Sequence, residues 1–316
     1  MSLPVLVAPD SFKGSFSAAE VAAAVAAGIR EAGRDAIELP VADGGEGTME
    51  VLGGEFHTAS VIDPLGRPVE ASFSLLPDGR AVVETAQASG LGLVAEEERD
   101  AYAASTRGTG ELIAAAVEAG AERVILTVGG SATSDGGAGA LEALEGVEVE
   151  LEVLCDVRTP WEQAAGVFGP QKGADPETVE RLERRLGELA DMAPRDPRGE
   201  PMTGAAGGLS GGLWAFRRAR LVPGAPYVLD TVGFDERMRE SGLVVTGEGK
   251  LDDQTLQGKI VGEVATRCRQ GGVPCHAVVG RNALEPFKAR ILDLASVREA
   301  GTAGALREAG RALVAE

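Results

Sequence analysis

The stretch Leu243-Val-Val-Thr-Gly-Glu-Gly-Lys-Leu-Asp-Asp-Gln-Thr-Leu-Gln-Gly-Lys259 decides the fold class, because it joins an apolar run to a helical pattern through a polar loop. The loop carries three carboxylates between Glu248 and Asp253 as well as two lysines. In an open α/β sheet, the loop after a strand faces the ligand crevice, where helix N-terminal amides bind anionic oxygen and carboxylates bind a divalent cation. The stretch therefore predicts an α/β sheet with an anion and metal site, although one such loop is as typical of a polar turn in solvent.

The N-terminal segment predicts a parallel βαβ unit. Val5 to Ala8 and Ile37 to Val41 are short apolar runs, and between them Ser17-Ala-Ala-Glu20 has the sequence of a helix capping box. Parallel strands with a right-handed crossover place the residues that follow both strands at one edge of the sheet. We therefore expect Asp10 to Lys13 and Asp43 to Glu46 to lie at the ligand crevice.

A different pattern follows His57. Three β-rich runs, Thr58 to Ile62, Val69 to Leu76 and Ala81 to Thr85, are separated by short turns that contain proline and glycine. This spacing is typical of hairpins and predicts a second domain.

The alternation of strands and helices returns after Ser241. The sequence thus predicts an α/β protein of two domains. Residues 1–62 and 241–316 are expected to form a discontinuous Rossmann-like domain with a parallel sheet, and residues 63–240 an inserted α/β domain with a mixed sheet, antiparallel hairpins and a glycine-rich phosphate loop. Because the candidate site residues are divided between these domains, we expect the domains to close on the substrates.

The other predicted elements follow from apolar periodicity and helix boundary signals. They are a helix from about Glu111 to Ala119, strands over Val124 to Val128 and Val147 to Cys155, a helix opened by Asp175-Pro176, a helix over Lys259 to Gln270, and strands over Cys275 to Val279 and Ile291 to Val297. The segment Ala193 to Gly212, rich in proline and glycine, is interpreted either as a mobile loop or as backbone that closely approaches a ligand.

Composition excludes several classes of function. The chain has 316 residues and a net charge of −19 from 30 basic and 49 acidic residues, which argues against nucleic acid or an anionic membrane as a partner. Cys155, Cys268 and Cys275 have neither the spacing of a zinc site nor the even number of a disulfide framework. The N-terminus lacks a basic lead and no apolar run approaches a membrane span, so a soluble cytoplasmic protein is expected.

The loop Val128-Gly-Gly-Ser-Ala-Thr-Ser-Asp-Gly-Gly-Ala-Gly139 combines glycines with three hydroxyl groups after a predicted strand. Glycines let backbone N–H groups approach a phosphate, and Ser131, Thr133 and Ser134 could add hydrogen bonds. The loop lacks both the lysine of a GxxxxGK(S/T) motif and the rhythm of GxGxxG, so neither a P-loop enzyme nor an NAD enzyme is indicated. A glycine-rich turn without a ligand is the alternative.

Five polar residues at two predicted strand ends could carry the chemistry of phosphoryl transfer. Lys13 could neutralise a carboxylate or a transferred phosphoryl group, and Asp10 or Asp43 could accept a proton from an attacking hydroxyl group. Ser11 and Glu46 accompany them. The structural alternative is that Asp10 and Ser11 cap a turn while Lys13 lies in solvent.

Further candidates lie in the middle of the chain. Asp156 ends a predicted strand, where it could bind a phosphate-bound Mg²⁺ or cap a helix. Lys172 lies between turn-forming residues, where it could reach a phosphate or point into solvent. His57 and His276 lie in strand-like surroundings and are interpreted as packing residues, so a Ser-His-Asp hydrolase is weakly supported.

Eight segments rich in glycine, acidic residues or lysine stand in a fixed order along the chain. They are Ala8-Pro-Asp-Ser-Phe-Lys-Gly-Ser15, Ala42-Asp-Gly-Gly-Glu-Gly-Thr48, Glu84-Thr-Ala-Gln-Ala-Ser-Gly-Leu91, Gly129-Gly-Ser-Ala-Thr-Ser-Asp-Gly-Gly-Ala-Gly139, Cys155-Asp-Val157, Phe168-Gly-Pro-Gln-Lys-Gly-Ala174, Gly204-Ala-Ala-Gly-Gly208 and Thr246-Gly-Glu-Gly-Lys250. In this order they resemble the motifs of the bacterial glycerate kinase family. The resemblance implies ATP-dependent phosphorylation of D-glycerate, to 2-phosphoglycerate more often than to 3-phosphoglycerate, with Mg²⁺ and with the active site in the interdomain cleft.

The resemblance also implies roles for individual residues. Catalytic roles fall to Asp10, Lys13 and Asp43, and substrate-binding roles to Ser11, Lys13, Gly44, Gly45 and Glu46. Nucleotide or phosphate binding falls to Gly129, Gly130, Ser131, Thr133, Asp135, Lys172, Gly247 and Lys250, and metal binding to Asp156, Glu248 and Asp253.

The chain departs from the family pattern at three places. Ser134 stands where the family usually has Asn, Thr159-Pro-Trp161 replaces Asn-Pro-Leu, and the connection at Glu145-Gly146 is shorter by some tens of residues. Two other functions remain open, namely a kinase of another small hydroxy acid and a non-catalytic nucleotide-binding regulator. Retention of acidic residues such as Asp10 and Asp43 favours catalysis. A homodimer is left open as the oligomeric state.

Overall fold

The computed structural model describes residues 3–253, 255 and 259–314. The chain divides into a first unit of residues 1–43 and 225–316 and a second unit of residues 44–224. The boundaries therefore differ from those predicted at residues 62 and 240.

Two elements account for this difference. The strand Glu55–Ile62 pairs along its whole length with Pro68–Leu75 and so belongs to the second unit. Helices Gly224–Thr231 and Phe234–Arg239 contribute Leu229 and Phe234 to a core of the first unit.

The strands of the described chain are β1 (Val5–Pro9), β2 (Ala36–Glu38), β3 (Glu55–Ile62), β4 (Pro68–Leu75), β5 (Arg80–Glu84), β6 (Arg123–Thr127), β7 (Glu150–Cys155), β8 (Arg220–Pro223), β9 (Leu243–Gly247), β10 (Lys250–Leu251), β11 (Cys275–Val279), β12 (Arg281–Asn282) and β13 (Ser296–Glu299). The α-helices are α1 (Ala18–Glu31), α2 (Thr48–Leu52), α3 (Thr85–Ser89), α4 (Arg107–Glu118), α5 (Ala138–Ala143), α6 (Ala164–Phe168), α7 (Pro176–Met192), α8 (Leu209–Arg217), α9 (Gly224–Thr231), α10 (Phe234–Arg239), α11 (Ile260–Gly271), α12 (Pro286–Ala289) and α13 (Ala303–Leu313). Within these residues no helix is both long and apolar enough to cross a membrane.

The first unit contains a five-stranded parallel sheet in the order β13-β11-β9-β1-β2. Every residue of β1 is buried. Its side chains alternate between two cores, with Val5 and Val7 packed against α1 and α13, and Leu6 and Ala8 packed against α9 to α11. A parallel sheet with helices on both faces needs consecutive apolar residues, which is the pattern found at Val5 to Ala8.

The second unit contains a six-stranded mixed sheet in the order β3-β4-β5-β6-β7-β8. The pairs β3/β4 and β4/β5 are antiparallel, whereas β5 to β8 are parallel. The predicted fold class, a parallel-sheet domain with a second mixed-sheet α/β domain, is confirmed. The capping box of α1 is also present, since Ser17 Oγ accepts from the Glu20 N–H and Glu20 Oε2 accepts from the Ser17 N–H.

One local prediction was wrong. The predicted strand over Ile291 to Val297 is a 3₁₀ turn at Arg290–Leu292 followed by β13, because Asp293 has a φ of +55° and so interrupts an extended strand. The end of the segment Ala193 to Gly212 forms secondary structure and its residue Ala206 lines a cavity, so close approach of this backbone to a ligand stays a prediction. Residues Ala205–Gly208 form a buried 3₁₀ turn that leads into α8.

Candidate active site

The first unit has a cavity of about 440 Å³ at the carboxyl ends of its parallel strands, which we call the carboxylate cavity. Asp10 follows β1 and Glu248 follows β9, and the Asp10 N–H donates to the carbonyl of Gly247 at 2.8 Å. Asp43, in the loop after β2, lines the same cavity. Parallel pairing of β1 with both β2 and β9 therefore brings together three carboxylates that are far apart in sequence.

These carboxylates are largely withdrawn from solvent, since Asp10, Asp43 and Glu248 are only 5%, 4% and 6% exposed. Burial raises the pKa of Asp10 well above its usual value, and the negative charge of Asp43 raises it further. The Ser11 N–H, which donates to Asp10 Oδ1 at 2.6 Å, and the charge of Lys13 oppose this shift. A carboxyl group with a raised pKa can retain its proton and donate a hydrogen bond to a ligand.

Glu248 is held by a hydroxyl group that the sequence did not single out. Thr255 Oγ1 donates to Glu248 Oε1 at 2.5 Å, and the Asp252 N–H donates to Thr255 Oγ1 at 3.2 Å. Burial raises the pKa of Glu248 to about 7, against the lowering effects of the Thr255 hydrogen bond and the charge of Lys259. Thr255 thus fixes the orientation of a carboxylate that titrates near neutral pH.

Basic side chains complete the carboxylate cavity. Lys13, Lys250, Lys259 and Arg281 line it together with the acidic residues. Lys250 Nζ lies 3.0 Å from Asp252 Oδ2, so part of its charge is balanced inside the cavity. A cavity that mixes cations with carboxyl groups can bind a small hydroxy acid, whose carboxylate needs a cation and whose hydroxyl groups need hydrogen-bond acceptors.

Two residues predicted for this region lie outside the lining of the cavity. Asp253 is exposed and forms an ion pair with Lys288 at 2.6 Å, whereas its neighbour Asp252 lines the cavity. Gly247 is the buried last residue of β9, where a Cβ would lie 2.1 Å from the Val278 carbonyl oxygen. Glycine is therefore needed at position 247 for close packing of the strands. The contacts of Asp253 do not support the metal-binding role predicted for it.

The glycine-rich loop lies in the second unit and lines a smaller cavity of about 110 Å³, which we call the phosphate-loop cavity. Its lining includes Gly129, Gly130, Ser131, Asp156 and Lys172. These residues come from the ends of β6 and β7 and from the turn after α6, so neighbouring parallel strands again place them together. Five residues predicted for phosphate or metal binding are thereby brought to one place.

Glycine is favoured in this loop by its backbone conformation and by the close approach of another segment. Gly130 has a φ of +69° and a Cβ there would meet the Glu46 side chain, and a Cβ on Gly129 would lie 3.0 Å from the Gly45 Cα. Gly44, which has a φ of +89°, would place a Cβ 2.5 Å from the Gly224 Cα. The segment Gly44 to Glu46 therefore belongs with the phosphate loop in the second unit, whereas Asp43 belongs with the first unit.

Lys172 is a buried lysine, only 2% exposed. Its Nζ donates a hydrogen bond to the carbonyl of Thr133. Burial lowers the pKa of Lys172 to about 7, and the negative charge of Asp135 acts against this shift. Ser131 Oγ and Thr133 Oγ1 lie 2.8 Å apart beside it. A phosphate bound at this loop would supply the negative charge that keeps the lysine protonated.

Asp135 has a different environment from the one predicted. Its carboxylate accepts from the Thr106 N–H and hydroxyl, both at 2.8 Å, and from the N–H groups of Gly137 and Gly139 at 3.1 and 3.2 Å. Four internal hydrogen bonds satisfy the carboxylate. We therefore interpret Asp135 as the residue that fixes the loop and offsets the charge of Lys172, rather than as a direct phosphate ligand.

Comparison with known proteins identifies the family of the chain. The chain matches the model of the glycerate kinase family over residues 5–149 and 145–300. The chain belongs to the glycerate kinase family. A glycerate kinase of Bacillus subtilis is 41% identical, covering 88% of this chain and 85% of the relative, and a glycerate 2-kinase of Escherichia coli is 38% identical with the same coverage. The crystal structure of a putative glycerate kinase 2 from Salmonella typhimurium superposes with a TM-score of 0.85 at 34% identity, covering 100% of this chain and 98% of that one.

Glycerate kinases use ATP as the phosphoryl donor, so a metal ion at the nucleotide has to be considered. Among residues 3–253, 255 and 259–314, no group of three or more His, Cys, Asp or Glu side chains is placed to hold a metal ion. Nucleotide-bound Mg²⁺ needs only one or two protein carboxylates, because phosphate oxygens and water supply its other ligands. Asp156 in the phosphate-loop cavity and Glu248 in the carboxylate cavity fit that more limited role.

One buried acidic residue of this glycerate kinase family member was not predicted as a site residue, although it begins one of the eight segments that resemble the family. Glu84, the last residue of β5, accepts from the Met49 N–H at 2.8 Å and so caps α2, directly after the Gly44 to Glu46 segment. Burial raises the pKa of Glu84 to about 7 despite this hydrogen bond, and the charges of Glu46 and Glu50 raise it further. The sequence signal that could have identified Glu84 is its position as an acidic residue at the end of a predicted strand.

Proposed function

We propose that this protein transfers the γ-phosphoryl group of ATP to D-glycerate and forms 2-phosphoglycerate. Membership of the glycerate kinase family supports the reaction, and a relative named glycerate 2-kinase supports the position of transfer. The observation that carries the proposal is the carboxylate cavity, where three buried acidic residues are placed beside basic side chains.

D-Glycerate would bind in the carboxylate cavity. Its carboxylate would pair with Lys13, and its hydroxyl groups would meet Asp10 and Asp43. Because the pKa of Asp10 is raised, this residue would keep its proton and donate a hydrogen bond to the substrate. Asp43 would accept the proton of the attacking hydroxyl group, which is the role of an acid in phosphoryl transfer to an alcohol.

The phosphates of ATP would bind at the phosphate-loop cavity. Backbone N–H groups of Gly129 and Gly130, the hydroxyl of Ser131 and the ammonium group of Lys172 are suitable donors. Mg²⁺ would be held by phosphate oxygens together with Asp156 or Glu248, and when bound it neutralises charge that develops on the phosphates. Asp135 and Glu84 would act as positioning residues of the two loops.

The proposal is tested with purified protein, ATP and a panel of acids: D-glycerate, L-glycerate, lactate and tartrate. ADP release is measured by a coupled assay, and the product is identified by ³¹P and ¹H NMR. We expect ADP release only with D-glycerate and a phosphorus coupled to the proton on C2. Preference for another hydroxy acid would indicate a related kinase, and nucleotide binding without turnover of any acid would indicate a regulator.

A further inference from the structure

The second unit contains a third cavity, of about 450 Å³, whose lining is dominated by arginine. We call it the arginine cavity. Four arginines, Arg158, Arg195, Arg218 and Arg220, line it together with the acidic residue Glu200. Such a concentration is unusual in a chain with 49 acidic and 30 basic residues. None of these residues lines the carboxylate cavity or the phosphate-loop cavity.

Most of these guanidinium groups lack an acidic partner. Arg220 forms an ion pair with Glu152, but Arg158, Arg195 and Arg218 form none with any residue that the structure describes. Arg195 instead lies over the indole ring of Trp214, 3.2 Å from its centroid, which orients its planar group by a cation–π contact. Like charges that share a cavity repel one another unless an anion lies between them.

The backbone around the cavity is unusual too. Met202 and Arg218 both line it, and both have a left-handed conformation, with φ of +71° and +58°. Within the described chain only two other non-glycine residues, Ala206 and Asp293, have positive φ. Residues other than glycine are strained in the left-handed backbone conformation, and such strain is concentrated at ligand sites. Arg218 is the C-cap of α8, so this conformation sets the direction of its side chain.

We propose that the arginine cavity is a binding site for a compact polyanion with phosphate or carboxylate groups, separate from the site of phosphoryl transfer. A guanidinium group donates two parallel hydrogen bonds to either kind of oxyanion, and three unpaired groups suit a ligand with more than one negative charge. Glu200 offsets only part of this positive charge, because four arginines line the cavity and it is the one acidic residue among them.

The site is tested by calorimetric titration of the whole protein with two probes, pyrophosphate and citrate, in Mg²⁺-free buffer. Saturating D-glycerate and a non-hydrolysable ATP analogue are present, so that the two other cavities are filled. The variants are R158Q, R218Q and R158Q/R218Q, and R123Q/R184Q removes two exposed arginines that do not line the cavity.

We expect one site per chain for at least one probe in the wild type and in R123Q/R184Q. In R158Q/R218Q the affinity should fall by about tenfold or more, with smaller losses in the single variants, because each removes one charge-assisted contact. A response to pyrophosphate alone would assign a phosphate ligand, and a response to citrate alone a carboxylate ligand. Absence of binding by both probes, or equal binding by R158Q/R218Q and the wild type, would overturn the proposal.

Discussion

The ammonium group of Lys172 donates a hydrogen bond to the main-chain carbonyl of Thr133, and both residues are buried. A lysine in this position is tied to the glycine-rich loop by one contact and has further hydrogen-bond donors available for a ligand. Because burial lowers its pKa to about 7, the charge on Lys172 is costly without a bound anion. We therefore expect the protonation of Lys172 to link the stability of the second unit to the binding of phosphate.

Replacement of Lys172 by methionine should weaken ATP binding and stabilise the ligand-free protein. We expect the KM for ATP to rise about tenfold or more, because a buried charge-assisted contact is lost. Because the pKa of Lys172 is lowered in the fold, this lysine is protonated in the unfolded chain but largely neutral in the folded protein between about pH 7 and 10.5. The destabilisation by Lys172 has its full size below pH 7 and disappears as the pH rises towards 10.5. The gain in Tm of K172M over the wild type should therefore be larger at pH 7 than at pH 10.

The matched control for Lys172 is K288M, which removes a lysine whose ion pair with Asp253 lies on the surface of the other unit. It should change neither the KM for ATP nor the pH dependence of Tm in this manner. A K172M variant with normal ATP kinetics would exclude Lys172 as a phosphate ligand.

Loss of either buried carboxylate in the carboxylate cavity should slow the reaction. We expect D43N and D10N to lower kcat by about 10²-fold or more, the usual scale for removal of a general base or of a carboxyl group that orients the substrate. Steady-state kinetics with glycerate measures the effect, and D35N, at an exposed position of the same unit, is the control. Near wild-type kcat in both variants would show that neither acid takes part in the chemical step.

Substitution of Lys13 should affect glycerate rather than ATP. Lys13 lines the carboxylate cavity and its charge lowers the pKa of Asp10, so its ammonium group faces the acidic cluster. A contact to the substrate carboxylate has the same strength in the ground state and the transition state, so K13M should raise the KM for glycerate more than it lowers kcat. A change confined to the KM for ATP would instead assign Lys13 to the nucleotide.

Glu84 should make the stability of the second unit depend on pH. Because its pKa rises from 4.5 in the unfolded chain to about 7 in the fold, the folded state gains stability from the proton. That stability is fully present below pH 4.5 and is lost as the pH rises through 7. E84Q keeps a hydrogen-bond acceptor for the Met49 N–H and removes the titration.

The stability of E84Q relative to the wild type should therefore increase between pH 4.5 and 8, by about 2–3 kcal/mol at most. Tm measured across this range checks the expectation, and E118Q, an exposed glutamate on α4, is the control. A parallel pH dependence of Tm in E84Q and the wild type would show that Glu84 keeps an ordinary pKa.

The sequence predicted those parts of the site that depend on local order along a strand. Asp10 and Glu248 follow apolar runs that are typical of buried parallel strands, so their common edge of the sheet was predictable. The boundary after Asp43 was not predictable, because residues 43 and 44 are adjacent in sequence, whereas Gly44 packs against Gly224, which is remote in sequence.

The burial of single polar residues could not be predicted from the sequence either. Thr255 and Glu84 acquire their roles from contacts with Glu248 and with the backbone of Met49, seven and 35 positions away. The family resemblance implied a phosphate-binding role for Asp135. Its carboxylate accepts from Thr106, the N-cap of α4, which no pattern within the loop indicates.

A last prediction concerns the close approach of two chain segments beneath the phosphate loop. Gly207 has a φ of +65°, and a Cβ there would lie 2.1 Å from the carbonyl oxygen of Thr133, the group that accepts from Lys172. Gly199 has a similar φ of +75° but no atom within 4 Å of such a Cβ. G199A should therefore cost only the strain of a left-handed alanine, about 1–2 kcal/mol.

G207A should cost that strain and also displace Thr133, so its Tm should fall by at least twice as much as that of G199A. The two variants differ further in function, because movement of the Thr133 carbonyl releases Lys172. The KM for ATP should rise in G207A and stay unchanged in G199A, measured at a temperature where both variants remain folded. Equal loss of Tm with normal ATP kinetics in both variants would mean that the segment can move away from Thr133 freely, and that the packing of Gly207 does not position the lysine.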